Sequence, residues 1–230
     1  MQLERVADEI DRWVMPEASM NAYVIASDGE ALVVDPGTRP SRAKLFREAI
    51  EARGDRVIGT VVTHPHWDHF LALASFEGVP SYAHAEAVEH IMAHPTEHLA
   101  AGLAYGGEGD DDDELGSLRI VAPSVPVEEP YTMFVGTQRV TFEPHPTAHT
   151  QGDLVVHVAG SATIAGDLVE VGDDPQWDDS SDLDGWMQAL DAIEERGESI
   201  LLPGHGAPTD RSRLEHHREL FVASGATPTD

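Results

Sequence analysis

Three imidazoles and one carboxylate fall within six consecutive residues of this chain. They belong to His64, His66, Asp68 and His69. Imidazole nitrogens and carboxylate oxygens are ligands that zinc and similar divalent ions bind in proteins. One short loop can also serve two neighbouring ions, because His64 and His66 can face one side while Asp68 and His69 face the other. The spacing therefore indicates a metal site with room for two ions.

A rigid element must hold this loop, and the preceding residues supply one. Residues 57–62 are mostly apolar and β-branched, which predicts a buried strand ending at the loop. Pro65 disfavours helix at His64, so the ligands sit on a loop held by a strand. The alternative is chance, since the chain contains 13 histidines. We expect others, such as His90 and the pair His216 and His217, to be solvated helix residues.

Three further polar residues follow predicted strands or turns. His149 precedes a small, permissive turn, Asp167 follows an apolar strand and a glycine, and His205 lies between two glycines after another apolar strand. Glycine lets the backbone approach a neighbouring group closely. Each residue alone is weak evidence. Together with the first loop they give five histidines and two aspartates, which suffice for two ions once a hydroxide joins.

The other elements are predicted from apolar periodicity and turn residues. We expect strands at residues 20–27, 31–34, 57–62, 80–83, 131–135, 138–142, 153–158, 162–165 and 199–202. We expect helices from Pro40 to Gly54, at 70–76, at 86–93, from a cap at Asp182 or Asp184 to about Arg196, and at 211–222. No repeat or linker is evident, so we predict a single domain spanning residues 1–230.

The pattern weakens between residues 95 and 117. Gly106, Gly107 and Gly109 precede the acidic run 110–114. The simplest interpretation is a solvated acidic loop. The alternative is a lid over the metal site, because long loops near sites often gate them. We expect residues 95–130 to shape the substrate pocket.

The chain's composition limits its location and partners. It has 230 residues, 41% of them hydrophobic, with no cysteine and no apolar run of membrane-spanning length. The N-terminus lacks a basic region followed by an apolar one, so we expect no signal peptide and a cytoplasmic protein. The absence of cysteine excludes disulfides, thiolate ligands and a cysteine nucleophile.

The chain is strongly acidic, with 14 basic against 42 acidic residues and a formal charge of −28. Lys44 is the only lysine. Such a surface repels nucleic acid and anionic membranes, so we expect a small-molecule substrate and neither of those partners. The balance is typical of a protein that works in high salt, where screening reduces self-repulsion. An alternative is an acidic protein from a genome that prefers Arg to Lys.

The pattern His-x-His-x-Asp-His at residues 64–69 resembles the signature of the metallo-β-lactamase fold superfamily. The resemblance extends from about Asn21 to Pro208 and includes the order of the later candidates. It implies an α/β fold, an αββα sandwich of two mixed β-sheets with helices on the outer faces. It further implies that His64, His66 and His149 hold one ion, that Asp68, His69 and His205 hold another, and that Asp167 bridges them.

On this resemblance the chain is a binuclear hydrolase with two divalent ions, most readily Zn²⁺, with Fe or Mn as alternatives. A hydroxide bridging the ions would attack a small ester, thioester, lactone or similar substrate. Asp68 would orient the hydroxide and relay a proton, which makes it the candidate catalytic residue. Asp35 and Thr150 are candidates for orienting the ligands.

The chain departs from some branches of that superfamily. Cysteine-bearing metallo-β-lactamases place a sulfur ligand where Asp167 stands here. Glyoxalase II enzymes carry a helical C-terminal domain, whereas only a short tail follows Pro208. Nuclease branches need an RNA-clamping domain and a basic surface, and flavodiiron proteins need a flavodoxin-like domain. These departures favour thioesterase, lactonase or phosphodiesterase-like chemistry.

Two other functions stay open at the level of the sequence. One is a mononuclear iron oxygenase acting on a persulfide, which resembles this scaffold but uses mainly the first three histidines. The other is a metal-binding module without activity, which the full set of ligand candidates disfavours. The substrate and the oligomeric state are not determined by these patterns.

Two histidines compete for the third imidazole of the first site. His145 stands between Pro144 and Pro146, which favour an extended backbone. His149 begins a small turn and matches the superfamily's His-Thr-x-Gly spacing. We therefore predict that His149 is the ligand and that His145 lies at the pocket rim or in solvent.

Overall fold

Residues 2–105 and 112–226 are described by a computed structural model, in which the strands form two mixed sheets. The first sheet contains seven strands in chain order: β1 (Glu4–Ala7), β2 (Ile10–Val14), β3 (Asn21–Ser27), β4 (Glu30–Val34), β5 (Arg56–Val61), β6 (Ser81–His84) and β7 (Val125–Val127). The second contains β8 (Tyr131–Val135), β9 (Gln138–Thr147), β10 (Gln151–Val158), β11 (Ala162–Glu170) and β12 (Leu201–His205). Its spatial order is β12-β11-β10-β9-β8.

Both sheets combine parallel and antiparallel pairs. Strands β1 to β4 are antiparallel neighbours, whereas β4 to β7 run parallel. In the second sheet β8 to β11 are antiparallel, and β12 joins β11 in parallel. The ends of β5, β11 and β12 lie at one edge of the sandwich. Ligand candidates lie at or directly after these strand ends.

Helices connect and cover the strands. They are α1 (Pro40–Glu51), α2 (Trp67–Phe70), α3 (Ala85–Ala93), α4 (Pro95–Tyr105), α5 (Asp112–Gly116), α6 (Leu183–Arg196) and α7 (Ser212–Ala223), with a 3-10 helix at Leu71–Phe76. Across residues 2–105 and 112–226, none of these helices is long and apolar enough to cross a membrane.

The main core lies between the two sheets. Ile25 and Leu32 of the first sheet share a buried cluster with Phe142, Val156 and Ile164 of the second. Successive side chains of a strand point to opposite faces, so each sheet also has an outer apolar face. The fold is thus the αββα sandwich that the resemblance implied.

Helices cover the two outer faces. Val24 and Val33 of the first sheet pack in a cluster with Phe46 of α1. Val155 of the second sheet packs in another cluster with Trp186 of α6 and Phe221 of α7. These helices fix the backs of both sheets and leave the strand ends at the edge free to carry polar side chains.

Strand β9 is longer than predicted, since it ends at Thr147 rather than at residue 142. Beyond Phe142 it pairs with β10 alone, because the pairing with β8 ends at Tyr131 and Phe142. Proline lacks an N–H donor and is tolerated on such an edge. The strand therefore continues through Pro144 and Pro146 instead of ending before them. Strand β11 likewise continues to Glu170, beyond the predicted end at residue 165.

The segment after residue 95, whose apolar periodicity is weak, contains a helix: α4 begins at Pro95 and runs to Tyr105. Proline is favoured at the first helical position, so the start was readable although the periodicity was not. We also predicted no strands before residue 20, where β1 and β2 form an edge hairpin. The predicted acidic loop falls largely on residues 106–111, which lie outside the described residues; Asp112–Gly116 is helical.

Candidate metal centre

The seven ligand candidates come together at one edge of the sandwich. His64 and His66 follow β5, and Asp68 and His69 lie on α2. The other three lie in the turn between β9 and β10, in β11 and at the end of β12; they are His149, Asp167 and His205. Their side chains form two adjoining groups, and within each group one potential ligand atom per residue lies within 4.8 Å of the others.

The first group contains His64, His66, His149 and Asp167. His66 Nδ1 lies 3.0 Å from His64 Nε2 and 3.1 Å from His149 Nε2. A single ring nitrogen carries at most one hydrogen, so His66 Nδ1 cannot donate to both neighbours. Three nitrogens that face one another in this way fit a shared cation better than a set of hydrogen bonds.

The second group contains Asp68, His69 and His205. His205 Nε2 lies 3.4 Å from His69 Nε2 and 3.3 Å from Asp68 Oδ2. His69 Nε2 is 3.7 Å from Asp68 Oδ2. These atoms therefore surround a second point, next to the first group.

Asp167 lies between the two groups. Its Oδ2 is 3.4 Å from His64 Nε2 and 3.5 Å from His205 Nε2, and its Oδ1 is 3.4 Å from His69 Nε2. Asp167 is 6% exposed, and its Oδ1 is buried without a hydrogen-bond partner. A buried carboxylate oxygen without a partner is costly unless a cation or a water meets it. The position suits a carboxylate shared by two ions.

Hydrogen bonds on the far side of three rings fix which nitrogen faces the centre. Asp35 accepts from the backbone N–H and the hydroxyl of Thr63, at 2.7 and 2.8 Å. The hydroxyl of Thr63 in turn lies 3.0 Å from His64 Nδ1, and Asp35 Oδ2 lies 2.9 Å from His69 Nδ1. His205 Nδ1 lies 3.0 Å from the carbonyl of Ala18. With Nδ1 bound outward, each ring presents Nε2 to the centre.

Asp35 is held in a left-handed conformation, with φ of 56°. That region is sparsely populated by residues other than glycine, although Asp tolerates it better than most. Its backbone N–H donates to the carbonyl of Val61 at 2.8 Å, which anchors it to β5. The carboxylate therefore orients His69 directly, as the sequence suggested. The hydroxyl of Thr150 instead donates to Asp153 within the turn that carries His149.

Gly204 makes room for the centre. A Cβ atom at this position would lie 1.9 Å from Asp167 Oδ1 and 3.0 Å from His69 Cε1. The backbone of β12 can therefore approach both side chains only because residue 204 is glycine. This close approach was expected from the glycines that flank His205.

The first three imidazoles are neutral at pH 7 in the metal-free protein. Burial lowers the pKa of His64 and His149 well below the ordinary value, and it lowers the pKa of His66 as well. Neutral imidazole is the form that binds metal, because its lone pair is free. This group is therefore ready to accept an ion.

In the second group the neighbouring carboxylates, rather than burial, determine the direction in which the pKa of each histidine shifts. Burial alone would lower the pKa of His69 and His205, but the neighbouring carboxylates, Asp167 foremost, outweigh it. They hold the pKa of His69 well above its usual range and raise that of His205 to about 10. Burial alone would raise the pKa of Asp68 and Asp167, but His69 and His205 reverse the sign and lower both. Without metal, this group is thus a cluster of opposed charges.

The donor set fits divalent metal ions. It combines neutral imidazoles, a buried carboxylate oxygen without a partner and a glycine that keeps the centre open. Five of the seven side chains also line a cavity of about 850 Å³, so the centre faces a space that a small molecule can enter. The arrangement can bind cations and present them to a ligand.

His145 lies apart from both groups. It sits on β9 opposite Asp153 of β10, half-buried, and burial lowers its pKa to about 4. His90 is half-buried, but His217 is fully buried and accepts the backbone N–H of Glu170, so the expectation of a solvated His217 is wrong. A histidine on a helix at the protein surface can face either water or the sheet, and its place in the sequence does not decide which.

Some residues that support the centre were not anticipated. Asn21 donates to the carbonyls of Pro203 and Gly206, and Tyr23 donates to the carbonyl of Pro203. These bonds from β3 hold the backbone around His205. An asparagine at the start of an apolar strand was the one available signal, since a buried amide needs partners.

Comparisons with known proteins agree with this geometry. The family model of the metallo-beta-lactamase superfamily matches residues 16–205. DIM-1 metallo-beta-lactamase superposes with a TM-score of 0.75 at 18% identity, covering 97% of this chain and 98% of that chain. A metallo-beta-lactamase from Pontibacter korlensis gives 0.74 at 16% identity, covering 96% and 98%.

A third structure is the metallo-beta-lactamase FIM-1 from Pseudomonas aeruginosa in its mono-zinc form, with a TM-score of 0.72 and 15% identity, covering 97% of this chain and 95% of that chain. At these identities the structures show a shared fold. No curated protein sequence matches the chain.

Proposed function

The chain belongs to the metallo-beta-lactamase superfamily, and we propose that it is a binuclear metal-dependent hydrolase of small esters, thioesters or lactones. Superfamily membership supports a metal-dependent hydrolase. The binuclear centre and the substrate class are our proposal, supported by the site itself.

One observation carries the proposal. Two adjoining groups of potential ligands meet at Asp167 and open onto the same cavity of about 850 Å³. His64, His66 and His149 would hold one ion, Asp68, His69 and His205 the other, and Asp167 would contact both. Zinc suits this nitrogen and oxygen set, and FIM-1 was solved in a mono-zinc form. When bound, such ions supply Lewis acidity and lower the pKa of a coordinated water.

The chain's own groups prepare that chemistry. Asp35 and Thr63 fix His64 and His69 so that Nε2 faces the centre. His69 and His205, against the effect of burial, lower the pKa of Asp68, so its carboxylate is ionised near neutral pH in the cavity that Asp68 lines. In the proposal its Oδ2 would hold the second ion, and its other oxygen would accept a proton from an attacking water and return it to the leaving group.

Cleavage of β-lactams is a less favoured use of the site. The structural neighbours are called metallo-beta-lactamases, but at 15–18% identity they carry the fold alone. Penicillins and cephalosporins bear a carboxylate, and neither lysine nor arginine is among the described residues that line this cavity. An uncharged ester, thioester or lactone meets no such conflict.

The iron oxygenase alternative is not favoured by any specific observation. It would use mainly His64, His66 and His149, and it would leave the buried Asp68, His69 and His205 group without a role. Oxygen consumption with a persulfide would nevertheless reveal it.

The test is a hydrolase assay on zinc-reconstituted protein with a panel of acetate esters, acyl thioesters and lactones. We expect turnover of at least one class, loss of turnover with a chelator, and recovery on adding zinc. Persulfide oxidation that requires oxygen, with no hydrolysis of the panel, would overturn the proposal. Omission of zinc from the reconstitution serves as the matched control.

A further inference from the structure

The cavity onto which the ligand candidates open is lined by two chemically different sets of side chains. Trp67 and Tyr105 form an aromatic pair with ring centroids 5.1 Å apart. Glu170 and Asp173 line the same cavity and belong to neither group of ligand candidates. A substrate reaching the centre therefore enters a space lined by two aromatic rings and two carboxyl groups.

Glu170 is built into this wall. It is 6% exposed, its Oε1 accepts from the backbone N–H of Gln176 at 3.2 Å, and its own N–H donates to His217 Nε2 at 3.1 Å. Its Oε2 has no hydrogen-bond partner among residues 2–105 and 112–226. This oxygen is not fully buried, so in the cavity that Glu170 lines it can meet a positive or hydrogen-donating group.

Within residues 2–105 and 112–226, no lysine or arginine side chain pairs with the carboxyl group of Glu170. Two arginines contact the lining, but both bind main-chain carbonyls. Arg213 donates to the carbonyls of Glu170 and Asp173, and Arg12 donates to the carbonyl of Gly206. Neither guanidinium is among the side chains that line the cavity. No lysine or arginine side chain of the described wall neutralises Glu170 or Asp173. Burial and the neighbouring Asp167 raise the pKa of Glu170 to about 7, so a cation in the cavity would favour its ionised form.

We infer that the cavity selects substrates whose non-reacting end carries a positively charged ammonium group, held by Glu170 and Asp173 in the cavity that the aromatic pair Trp67 and Tyr105 also lines. Carboxylates attract such a group by charge, and aromatic faces attract it through the ring quadrupole. The inference rests on the proposed function, since it names the substrate class of the same site.

The test uses a matched pair of acetate esters, 2-(trimethylammonio)ethyl acetate and its uncharged carbon isostere 3,3-dimethylbutyl acetate. We expect the zinc-loaded enzyme to show a kcat/KM about tenfold or more higher for the ammonium ester. Glu170→Gln and Asp173→Asn should each reduce this ratio several-fold. Glu195→Gln removes an exposed carboxylate on α6 that does not line the cavity, and it should leave the ratio unchanged.

Equilibrium binding of the two corresponding alcohols, measured by calorimetry on the same proteins, keeps this inference separate from the hydrolase proposal. Ammonium-selective binding that Glu170→Gln abolishes, without hydrolysis of either ester or of any substrate in the hydrolase panel, would support the cavity's selectivity and refute the hydrolase proposal. Equal affinity for both alcohols would overturn the inference even if both esters were hydrolysed. A preference that falls equally in Glu195→Gln would also overturn it, because it would then reflect the overall negative charge.

Discussion

Two clusters of histidines and carboxylates lie in the sandwich, and they differ in what pairs with the carboxylate. In the metal centre three imidazole nitrogens face one another, and Asp167 Oδ1 has no partner. Elsewhere on the sheet, Glu143, His157 and Arg196 form what we term the Glu143 cluster. There Arg196 Nε donates to Glu143 Oε2 at 2.7 Å, and His157 Nε2 lies 3.3 Å from the same oxygen.

The difference teaches that residue type alone does not mark a functional site. In the Glu143 cluster the guanidinium of Arg196 pairs with the carboxylate of Glu143, and His157 Nδ1 lies 2.9 Å from the hydroxyl of Thr163. Such a network contributes to the stability of the fold. The candidate metal centre has, among the described residues, no lysine or arginine paired with Asp167, and its opposed nitrogens and oxygens fit a bound cation. Substitutions in the two regions should therefore have opposite consequences for activity and for folding.

The largest effect is expected at the third imidazole of the first group. His149→Ala should remove one ion and nearly all hydrolysis, a larger loss than the 10–100-fold typical of residues that only orient a ligand. His145→Ala, four residues earlier, should keep the metal content of the wild type. Metal analysis and kcat/KM of both variants check this, and the reverse pattern would show that our assignment of this turn is wrong.

Asp167→Ala should lower turnover by orders of magnitude and weaken the second ion more than the first. The reason is that His69 and His205 are held by carboxylates, of which Asp167 is the shared one. Zinc titration of the variant, after its metal has been removed with a chelator, measures the affinity for the first ion and for the second. If Asp167→Ala kept both ions and wild-type rates, Asp167 would have only a structural role in β11.

A smaller loss is expected when a residue acts through a ligand. Asp35→Asn should reduce zinc affinity or kcat/KM by about 10–100-fold, because the amide cannot accept from Thr63 and His69 as the carboxylate does. The control is Asp11→Asn, which removes another buried aspartate that pairs instead with Arg5 and Arg53. If both variants lost activity equally, the effect of Asp35 would be one of folding.

The Glu143 cluster should show the opposite behaviour. The contacts with His157 and Arg196, against the effect of burial, lower the pKa of Glu143 from about 4.5 to about 2. A carboxyl whose pKa is lower in the folded state stabilises the fold above its unfolded pKa. That contribution is lost as the pH falls from about 4.5 towards about 2.

Glu143→Gln should therefore reduce the free energy of unfolding by about 1 kcal/mol at neutral pH, a value discounted for solvent screening, and leave kcat/KM nearly unchanged. Urea unfolding of the chelated protein at neutral and acidic pH measures this, with Glu195→Gln as the control. A difference that is as large at about pH 2 as at neutral pH would contradict the assigned contribution.

The sequence could locate the first loop because its four ligand candidates are close together in the chain. His64, His66, Asp68 and His69 follow one strand, and the apolar run before them identifies that strand. The remaining candidates depended on the family resemblance, since pairing between distant strands brings them to the centre. His149 comes from the turn before β10, and His205 from the end of β12.

Other features could not be predicted, because they depend on tertiary contacts. The carbonyl of Ala18 orients His205, yet nothing in the type of residue 18 indicates it. Glu170 was placed beyond the predicted end of its strand, so its role in the cavity wall was not foreseen. The strand continues because β12 pairs alongside it as far as Glu170 and His205.

The central claim is that the chain binds two ions. It is tested most directly by removing all metal with a chelator, titrating the protein with zinc and measuring the metal content after gel filtration. The two groups around Asp167 predict two ions per chain, the first bound by the neutral imidazoles and the second with release of protons from His69 and His205. Hydrolysis should rise with metal content and stop rising at two ions. A single ion per chain at saturation, with full hydrolytic activity, would contradict the binuclear centre.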